Sequence, residues 1–225
     1  MRASDQPPPE EQDWHRFQQL TQLNDHWQRP GWAEGRRSYH WLLTFAHYSG
    51  LQALAAQCQE PFRDLAQFDL VPLEMLHLTI GRLAFTDELS AANLPAAVAA
   101  PRQRCRDIPP FRLRIGWLAG STGAIRFTAL PMEPIVEVRD IVLAQAAHAH
   151  VHKNAYACSA DRFWPHVSIA YSNTAQPAEP IAAMIDGLRA LPPAEMLISR
   201  LALVELRREG RAYRWDELEQ VGIGG

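Results

Sequence analysis

The chain has few of the residues on which several large classes of protein depend. It contains only three cysteines in 225 residues, Cys58, Cys105 and Cys158. Their wide spacing excludes a local C-x-x-C pair and a disulfide framework. No apolar run reaches the length of a bilayer-spanning helix, and the polar, proline-rich start lacks the apolar stretch of a secretory signal. We therefore expect a cytoplasmic protein that does not bind membranes.

The chain also lacks an excess of positive charge, with 22 basic against 25 acidic residues, which limits the kinds of ligand that the surface can hold. The formal net charge is −3 at pH 7, and Lys153 is the only lysine. A broad basic surface for DNA is therefore not expected, and an anionic ligand must be held by a local site. The sequence has no Walker loop, dinucleotide-binding glycine fingerprint or G-x-S-x-G elbow.

What the chain does contain is enough apolar sequence for a substantial core, 47% of its residues, and a regular order of elements. Residues 1–37 form an N-terminal extension, predicted as a loose tail and a helix over about 10–28, which covers a cleft, packs behind it or mediates association. Residues 38–225 form one domain. Its predicted order is strand, helix, strand, helix, hairpin, helix, strand, helix, hairpin. Alternation mixed with antiparallel pairs argues against a purely parallel, doubly wound sheet.

The two halves of this domain each contain one strand with the same pattern, an apolar residue, histidine, an apolar residue, a hydroxyl residue and an apolar residue. The sequences are LHLTI around His77 and PHVSI around His166. Residues i and i+2 of a strand share a face, so His77 projects with Thr79 and His166 with Ser168. A third match, residues 47–49, is followed at once by a glycine where its strand ends, so we do not assign it to the site.

If the two strands lie side by side across a pseudo-twofold axis, two imidazoles and two hydroxyls line one cleft. Imidazole has an ordinary pKa near 6.5. We therefore expect one neutral and one protonated ring near neutral pH, the pair that general acid-base catalysis on a phosphodiester requires. The hydroxyls can donate hydrogen bonds to nonbridging phosphate oxygens and stabilise charge without a metal.

At these residues the sequence resembles the 2H phosphoesterase superfamily, and within it the 2′-5′ RNA ligase-like proteins, also called RNA 2′,3′-cyclic phosphodiesterases. The resemblance extends over about residues 38–220. It includes the leading strand 39–45 and the closing hairpin that carries Arg211 and Tyr213. It implies an α+β fold with two pseudo-symmetric lobes of mixed or antiparallel sheet, outer helices and a central cleft.

The same resemblance implies that His77 and His166 are catalytic, that Thr79 and Ser168 bind the substrate phosphate, and that no metal or nucleotide cofactor is needed. The family includes enzymes that hydrolyse 2′,3′-cyclic phosphates to 2′-phosphates and enzymes that join RNA ends reversibly through 2′-5′ bonds. The sequence therefore predicts a phosphodiesterase whose partner is an RNA end or a small cyclic or 2′-5′-linked nucleotide, with reversible 2′-5′ ligation as a further activity. We expect a monomer that binds neither DNA nor membranes.

Two other functions remain open. One is a noncatalytic RNA-end or nucleotide-binding module that keeps the cleft. The other is a hydrolase of specialised nucleotide metabolism or antiphage signalling. A noncatalytic module would retain nucleotide without forming product, and a panel of small cyclic nucleotides would reveal a specialised hydrolase.

Further site residues are predicted from their positions near the two motifs. Of the neighbouring arginines Arg82, Arg126 and Arg162, we expect Arg126 to bind phosphate because its strand should run near the cleft, and the other two to be solvated. Three aromatic residues are candidates for stacking on a base: Tyr39, Trp41 and Phe127.

A histidine-rich segment could be mistaken for a metal site. His148, His150 and His152 alternate, but the residues before them have helical spacing. On a helix only His148 and His152 share a face. Without a glutamate in an H-E-x-x-H arrangement, we expect no metal site here but a helix end at which protonated histidines favour the helix dipole.

Overall fold

The structure is a computed structural model that describes residues 6–148 and 163–224. The described helices are α1 (Pro9–Gln18), α2 (Ser49–Gln59), α3 (Leu94–Arg104), α4 (Glu133–His148) and α5 (Glu179–Asp186). The described strands are β1 (Gln22–Leu23), β2 (Ser38–Thr44), β3 (Phe68–Leu70), β4 (His77–Phe85), β5 (Phe111–Ser121), β6 (Ala124–Leu130), β7 (His166–Ser172), β8 (Gln176–Pro177), β9 (Ala194–Ile198), β10 (Arg200–Arg208) and β11 (Tyr213–Gly222). None of the described helices is long and apolar enough to cross a membrane.

Two antiparallel sheets form the body of the protein. One has the strand order β11-β10-β2-β4 and the other the order β3-β7-β6-β5-β9, while β1 and β8 pair separately. Helix α4 packs on β4, α2 packs on β7 and β9, and α1 and α5 pack on β5. Each sheet contributes one of the two motif strands, β4 and β7. The predicted α+β fold of two lobes with outer helices is confirmed.

Both motif strands are interrupted by an extra residue at the same place. In β4, Ile80 is the extra residue opposite the pair 41–42 of β2. In β7, Ile169 is the extra residue opposite the pair 125–126 of β6. Such a bulge bends its strand and turns the side chains that follow it. Because each bulge comes directly after the hydroxyl residue of its motif, the symmetry of the two halves extends beyond the four site residues.

The N-terminal helix is much shorter than predicted. The spacing of large apolar residues predicts a helix to about residue 28, but α1 ends at Gln18. The backbone that follows hydrogen-bonds to distant strands: β1 pairs with β8, and the amide of His26 donates to the carbonyl of Ser172. Pairing with other strands therefore overrides the local helical spacing at this point.

The predicted closing hairpin divides between the two sheets. β10 and β11 form an antiparallel hairpin as expected. The sequence before it, predicted as part of the same strand, forms β9 and pairs with β5 in the other sheet. The chain changes sheets at Ser199, so β9 closes the edge of the five-stranded sheet.

Helix α1 packs against the five-stranded sheet through two side chains. Phe17 is fully buried and its ring lies over Gly120, where any Cβ atom would overlap it. Asp13 is 1% exposed, and its Oδ1 accepts from Nη2 of Arg126 at 2.6 Å while its Oδ2 accepts from the hydroxyl of Thr128 at 2.7 Å. The extension is therefore an integral part of the sheet that carries β7.

We expect Asp13→Asn to lower the free energy of unfolding by about 3 kcal/mol, because removing one partner leaves the other charge of a buried ion pair uncompensated. Asparagine can still accept from Thr128, so the measurement isolates the lost charge opposite Arg126. Urea unfolding measures the change. Glu60→Gln, which removes an exposed ion pair with Arg63, is the matched control and should change stability little. Equal stabilities of the two variants would contradict the prediction.

Candidate active site

A cleft of about 390 Å³ lies between the two sheets, and all four residues of the sequence motifs line it. His77 and Thr79 come from the first residues of β4, and His166 and Ser168 from the first residues of β7. The two strands pack against each other. The intervening residues Leu78 and Val167 are fully buried in the core, as strand alternation requires.

The two imidazoles are held in the same way. Nδ1 of His77 lies 2.9 Å from the carbonyl oxygen of Met75, and Nδ1 of His166 lies 2.7 Å from that of Trp164. A carbonyl only accepts, so Nδ1 carries the proton in each neutral ring and Nε2 carries the lone pair. Each Nε2 can therefore accept a proton or, once protonated, donate one.

Burial lowers the pKa of both histidines, which corrects the expected protonation state. The pKa of His166 falls to about 3 through desolvation and the positive charge of Arg126. Desolvation also lowers the pKa of His77. Near neutral pH both rings are thus neutral in the empty cleft, rather than one neutral and one charged. A phosphate anion between them favours the charged form of imidazole and raises these pKa values.

The hydroxyl groups of the two motifs differ in their surroundings. Thr79 is exposed, whereas Ser168 is buried and hydrogen-bonds to the phenol of Tyr171. The bulge in β7 turns Tyr171 into the cleft, and burial raises its pKa, so the phenol stays protonated. The hydroxyl of Ser168 and the phenol of Tyr171 thus lie together in the cleft.

Four arginines line the cleft, and among the described residues no carboxylate does: Arg29, Arg82, Arg126 and Arg139. Arg82 is only 6% exposed, so the expectation that it is solvated was wrong; the bulge in β4 turns it inward as the bulge in β7 turns Tyr171. Arg162 lies outside the described residues. The cleft is therefore locally positive although the chain has a net negative charge.

Arg126 reaches the cleft from β6, where the sequence placed it. Its Nη2 donates to Asp13, while its Nε and Nη1 are buried and have no hydrogen-bond partner in the part of the chain that the structure describes. The negative charge of Asp13 balances this arginine only on the side away from those two nitrogens. Arg126 thus has two nitrogens, Nε and Nη1, whose N–H groups are left unpaired within the described residues.

The three aromatic candidates for base stacking lie in the core and not in the cleft. Tyr39, Trp41 and Phe127 are at most 3% exposed. In β2 the cleft-facing residue is His40, so its neighbours on both sides point to the opposite face. Phe127 follows cleft-facing Arg126 and is turned away in the same manner. These assignments to the substrate site were wrong.

His40 is a site residue that the sequence reasoning missed. It is buried beside Arg82, its Nδ1 lies 3.0 Å from the hydroxyl of Ser38, and burial lowers its pKa to about 3. The sequence contains a signal for this position. Adjacent residues of a strand face opposite sides, so a histidine between two aromatic residues of the core must face away from the core.

The extension also contributes to the cleft, through His26, Arg29 and Trp32. His26 stacks on Tyr171, with ring centroids 4.0 Å apart, and its Nε2 lies 3.0 Å from the hydroxyl of Tyr213. Burial and nearby arginines lower the pKa of His26 to about 2. No motif marks these residues, and covering the cleft was only one of three placements that the sequence left open for the extension.

The alternative of a metal site gains no candidate ligands from the described residues. In the described ranges, no three histidine, cysteine, aspartate or glutamate side chains are grouped as a metal site would require. His148 is the last residue of α4, and His150 and His152 lie outside the described residues.

The model of the 2′-5′ RNA ligase superfamily matches residues 52–210. No curated protein sequence matches the chain significantly. Several solved structures share the fold. A protein of Thermus thermophilus is 21% identical, with a TM-score of 0.58 over 84% of this chain and 98% of that one. E. coli LigT in complex with 3′-AMP is 14% identical, with a TM-score of 0.62 over 84% and 99%.

A conserved protein of Agrobacterium tumefaciens strain C58 is 15% identical, with a TM-score of 0.53 over 95% of this chain and 93% of that one. The share of this chain that it covers is larger than for the other two structures. At these identities the likeness is one of fold.

Proposed function

The chain belongs to the 2′-5′ RNA ligase superfamily, and we propose that it is a metal-independent phosphodiesterase that hydrolyses RNA 2′,3′-cyclic phosphate ends or a small cyclic or 2′-5′-linked nucleotide. The observation that carries this proposal is the matched pair of imidazoles, His77 and His166, each held through Nδ1 in one cleft. The complex of E. coli LigT with 3′-AMP supports a nucleotide as the class of ligand.

The chemistry follows from the two Nε2 atoms. One neutral imidazole removes a proton from water, and the water oxygen bonds to phosphorus. The other imidazole, protonated when the phosphate anion is bound, gives its proton to the leaving ribose oxygen as the phosphorus–oxygen bond breaks. A ribose hydroxyl in place of water would form a 2′-5′ bond by the same transfers.

Hydrogen bonds to the phosphate stabilise the charge that develops in this reaction. Thr79 and Ser168 donate to the nonbridging oxygens, and Arg126 adds N–H groups of Nε and Nη1, the two nitrogens that its ion pair with Asp13 leaves unused. Donors fixed in a partly buried cleft stabilise such charge more than water does.

The proposal is tested by incubating the protein in excess EDTA with three kinds of substrate: 2′,3′-cyclic mononucleotides, RNA with a cyclic phosphate end, and 2′-5′ dinucleotides. Mass spectrometry identifies the products. We expect at least one substrate to gain one water. Nucleotide that is bound but not converted would favour the noncatalytic module. Loss of activity in EDTA and recovery with a divalent cation would contradict the metal-independent mechanism.

We expect Thr79→Val and Ser168→Ala each to lower kcat/KM by about 10- to 150-fold, the equivalent of about 1.5–3 kcal/mol for a hydrogen bond to a charged group. The exposed hydroxyl of Thr86 lies outside the cleft, so Thr86→Val is the matched control and should keep the wild-type rate. Steady-state kinetics on the best substrate measures all three variants. A hydroxyl variant as active as the control would exclude that hydroxyl from phosphate binding.

We expect the pH of maximum kcat to lie at least about one unit above the pH of maximum kcat/KM. The latter reports the free enzyme, in which burial lowers the pKa of both catalytic histidines. Kcat reports the complex, in which the phosphate anion raises them, typically by about 1–3 units for one nearby opposite charge. A cyclic phosphodiester does not titrate near neutral pH, so the displacement belongs to the protein. Coincident maxima would show that the anion does not act on these rings.

A further inference from the structure

Residues 24–32, here called the strap, join the two sheets and line part of the cleft. On the side of the five-stranded sheet, the amide of His26 donates to the carbonyl of Ser172 at 2.8 Å. On the side of the four-stranded sheet, Nη1 of Arg208 donates to the carbonyl of Trp27 at 2.8 Å, and His26 hydrogen-bonds to Tyr213. The strap precedes the residues that the superfamily model matches.

Arg29 is the charged residue that the strap brings to the cleft. Its Nε donates to the carbonyl oxygen of His26 at 3.2 Å, and its Nη2 donates to Nδ1 of the same residue at 3.1 Å. These two bonds fix the plane of the guanidinium. Nη1 has no hydrogen-bond partner among the described residues, and the side chain is exposed. An anion that enters the cleft can therefore reach an oriented arginine.

The charge of Arg29 acts within the cleft and is not neutralised there. It is one of the charges that lower the pKa of His166 and His40. The nearest acidic residue of the strap, Asp25, accepts instead from the backbone amide of Trp27 and from the side chain of Gln28. Arg29 thus differs from Arg126, which is held by a buried carboxylate.

The reacting phosphodiester has only one negative charge, and the site already provides for it. Two hydroxyls, two imidazoles and Arg126 surround the position between β4 and β7. Arg29 lines the same cleft from a different segment and hydrogen-bonds only to His26 among the described residues, so its charge remains to be matched. An arginine with an oriented guanidinium suits a phosphate, whose oxygens accept two N–H bonds side by side.

We propose that Arg29 binds a second phosphate of the nucleotide, distinct from the phosphate that reacts. The inference rests on the proposed function and narrows its substrate class to nucleotides that carry a phosphate besides the cyclic or 2′-5′-linked one. This second phosphate is either the terminal phosphate of a mononucleotide or the bridging phosphate of an RNA chain, and the two share the same contact with Arg29.

Equilibrium binding tests this contact without relying on turnover. The probes are adenosine 3′-monophosphate, adenosine 3′,5′-bisphosphate for a terminal second phosphate, and a dinucleotide with a 3′-phosphate for a bridging one. We expect at least one of the two longer probes to bind the wild-type protein about 10- to 100-fold more tightly than the monophosphate. The probe with the larger gain identifies the source of the second phosphate.

The ratio of affinities should fall to near one in Arg29→Ala. In Arg29→Lys, which keeps the positive charge but loses the paired N–H donors of the guanidinium, the ratio should take an intermediate value. Arg37→Ala is the matched control: Arg37 is another exposed arginine of the extension, paired with Glu205 outside the cleft. It should keep the wild-type ratio. Circular dichroism confirms that each variant is folded.

A wild-type ratio near one, or an unchanged ratio in Arg29→Ala, would overturn the inference. A ratio that depends on Arg29 supports it even if no substrate of the EDTA panel is hydrolysed; in that case the phosphodiesterase function fails and the second-phosphate site stands. If the wild-type protein hydrolyses a cyclic mononucleotide but its ratio of affinities is near one, the phosphodiesterase function stands and the second-phosphate site fails.

Discussion

Alanine in place of His77 or His166 is expected to reduce turnover by at least about 10²-fold, since a general acid or base contributes about 10²- to 10⁴-fold. Each side chain is only partly buried and makes one hydrogen bond to a local backbone carbonyl. The fold should therefore survive either change, and the loss should appear in kcat on the best substrate.

The chain contains its own control for this experiment. His47 lies in the third H-x-S sequence, is exposed and stands outside the cleft, so His47→Ala should keep the wild-type rate. If the two rings act as a unit, the double variant at positions 77 and 166 should lose less than the product of the single losses. A single catalytic variant with the wild-type rate would refute paired-imidazole catalysis.

Mild acid is expected to destabilise the fold strongly. Burial lowers the pKa of His26 to about 2 and of His40 and His166 to about 3. The unfolded chain takes up these protons near pH 6.5, and the folded chain does not. Stability is thus fully present above pH 6.5 and falls as pH falls towards the folded values, by about 1.4 kcal/mol per pH unit for each histidine. At pH 5 the three together cost about 6 kcal/mol, comparable to the whole stability of many domains.

Urea unfolding at pH 6.5, 5.5 and 4.5 measures this slope. His40→Gln should reduce the slope, whatever its effect on stability at pH 6.5, because it removes one of the buried histidines that produce it. Thr86→Val, which removes no titrating group, should leave the slope unchanged. A slope near zero in the wild-type protein would show that these histidines become protonated in the folded state without penalty.

The local sequence was sufficient to predict the features that depend on the alternation of side chains along a strand. The two motifs indicated which side chains share a face, and His77, Thr79, His166 and Ser168 do line one cleft. The same rule was not applied to β2, where His40 and its aromatic neighbours cannot share a face. The alternation of side chains along this strand was therefore sufficient to exclude base stacking by the aromatic neighbours of His40.

Other features depend on contacts between distant residues and leave no local signal. The partner of Arg126 is Asp13, 113 positions earlier in the chain, and only the packing of α1 brings them together. The bulges at Ile80 and Ile169 are defined by the partner strand. Spacing within one segment cannot reveal them, so Arg82 was expected to be solvated and Tyr171 was not considered.

The contact between Phe17 and Gly120 links two positions that would otherwise vary independently among relatives. A side chain at position 120 would occupy the volume of the phenylalanine ring, and the helix that carries Phe17 would have to dock differently. Substitutions at these positions should therefore be inherited together: glycine at 120 where a large residue is present at 17, and freedom at 120 where the helix is missing. Paired variation of these two positions in an alignment would show that the docking of α1 and the glycine at position 120 depend on each other.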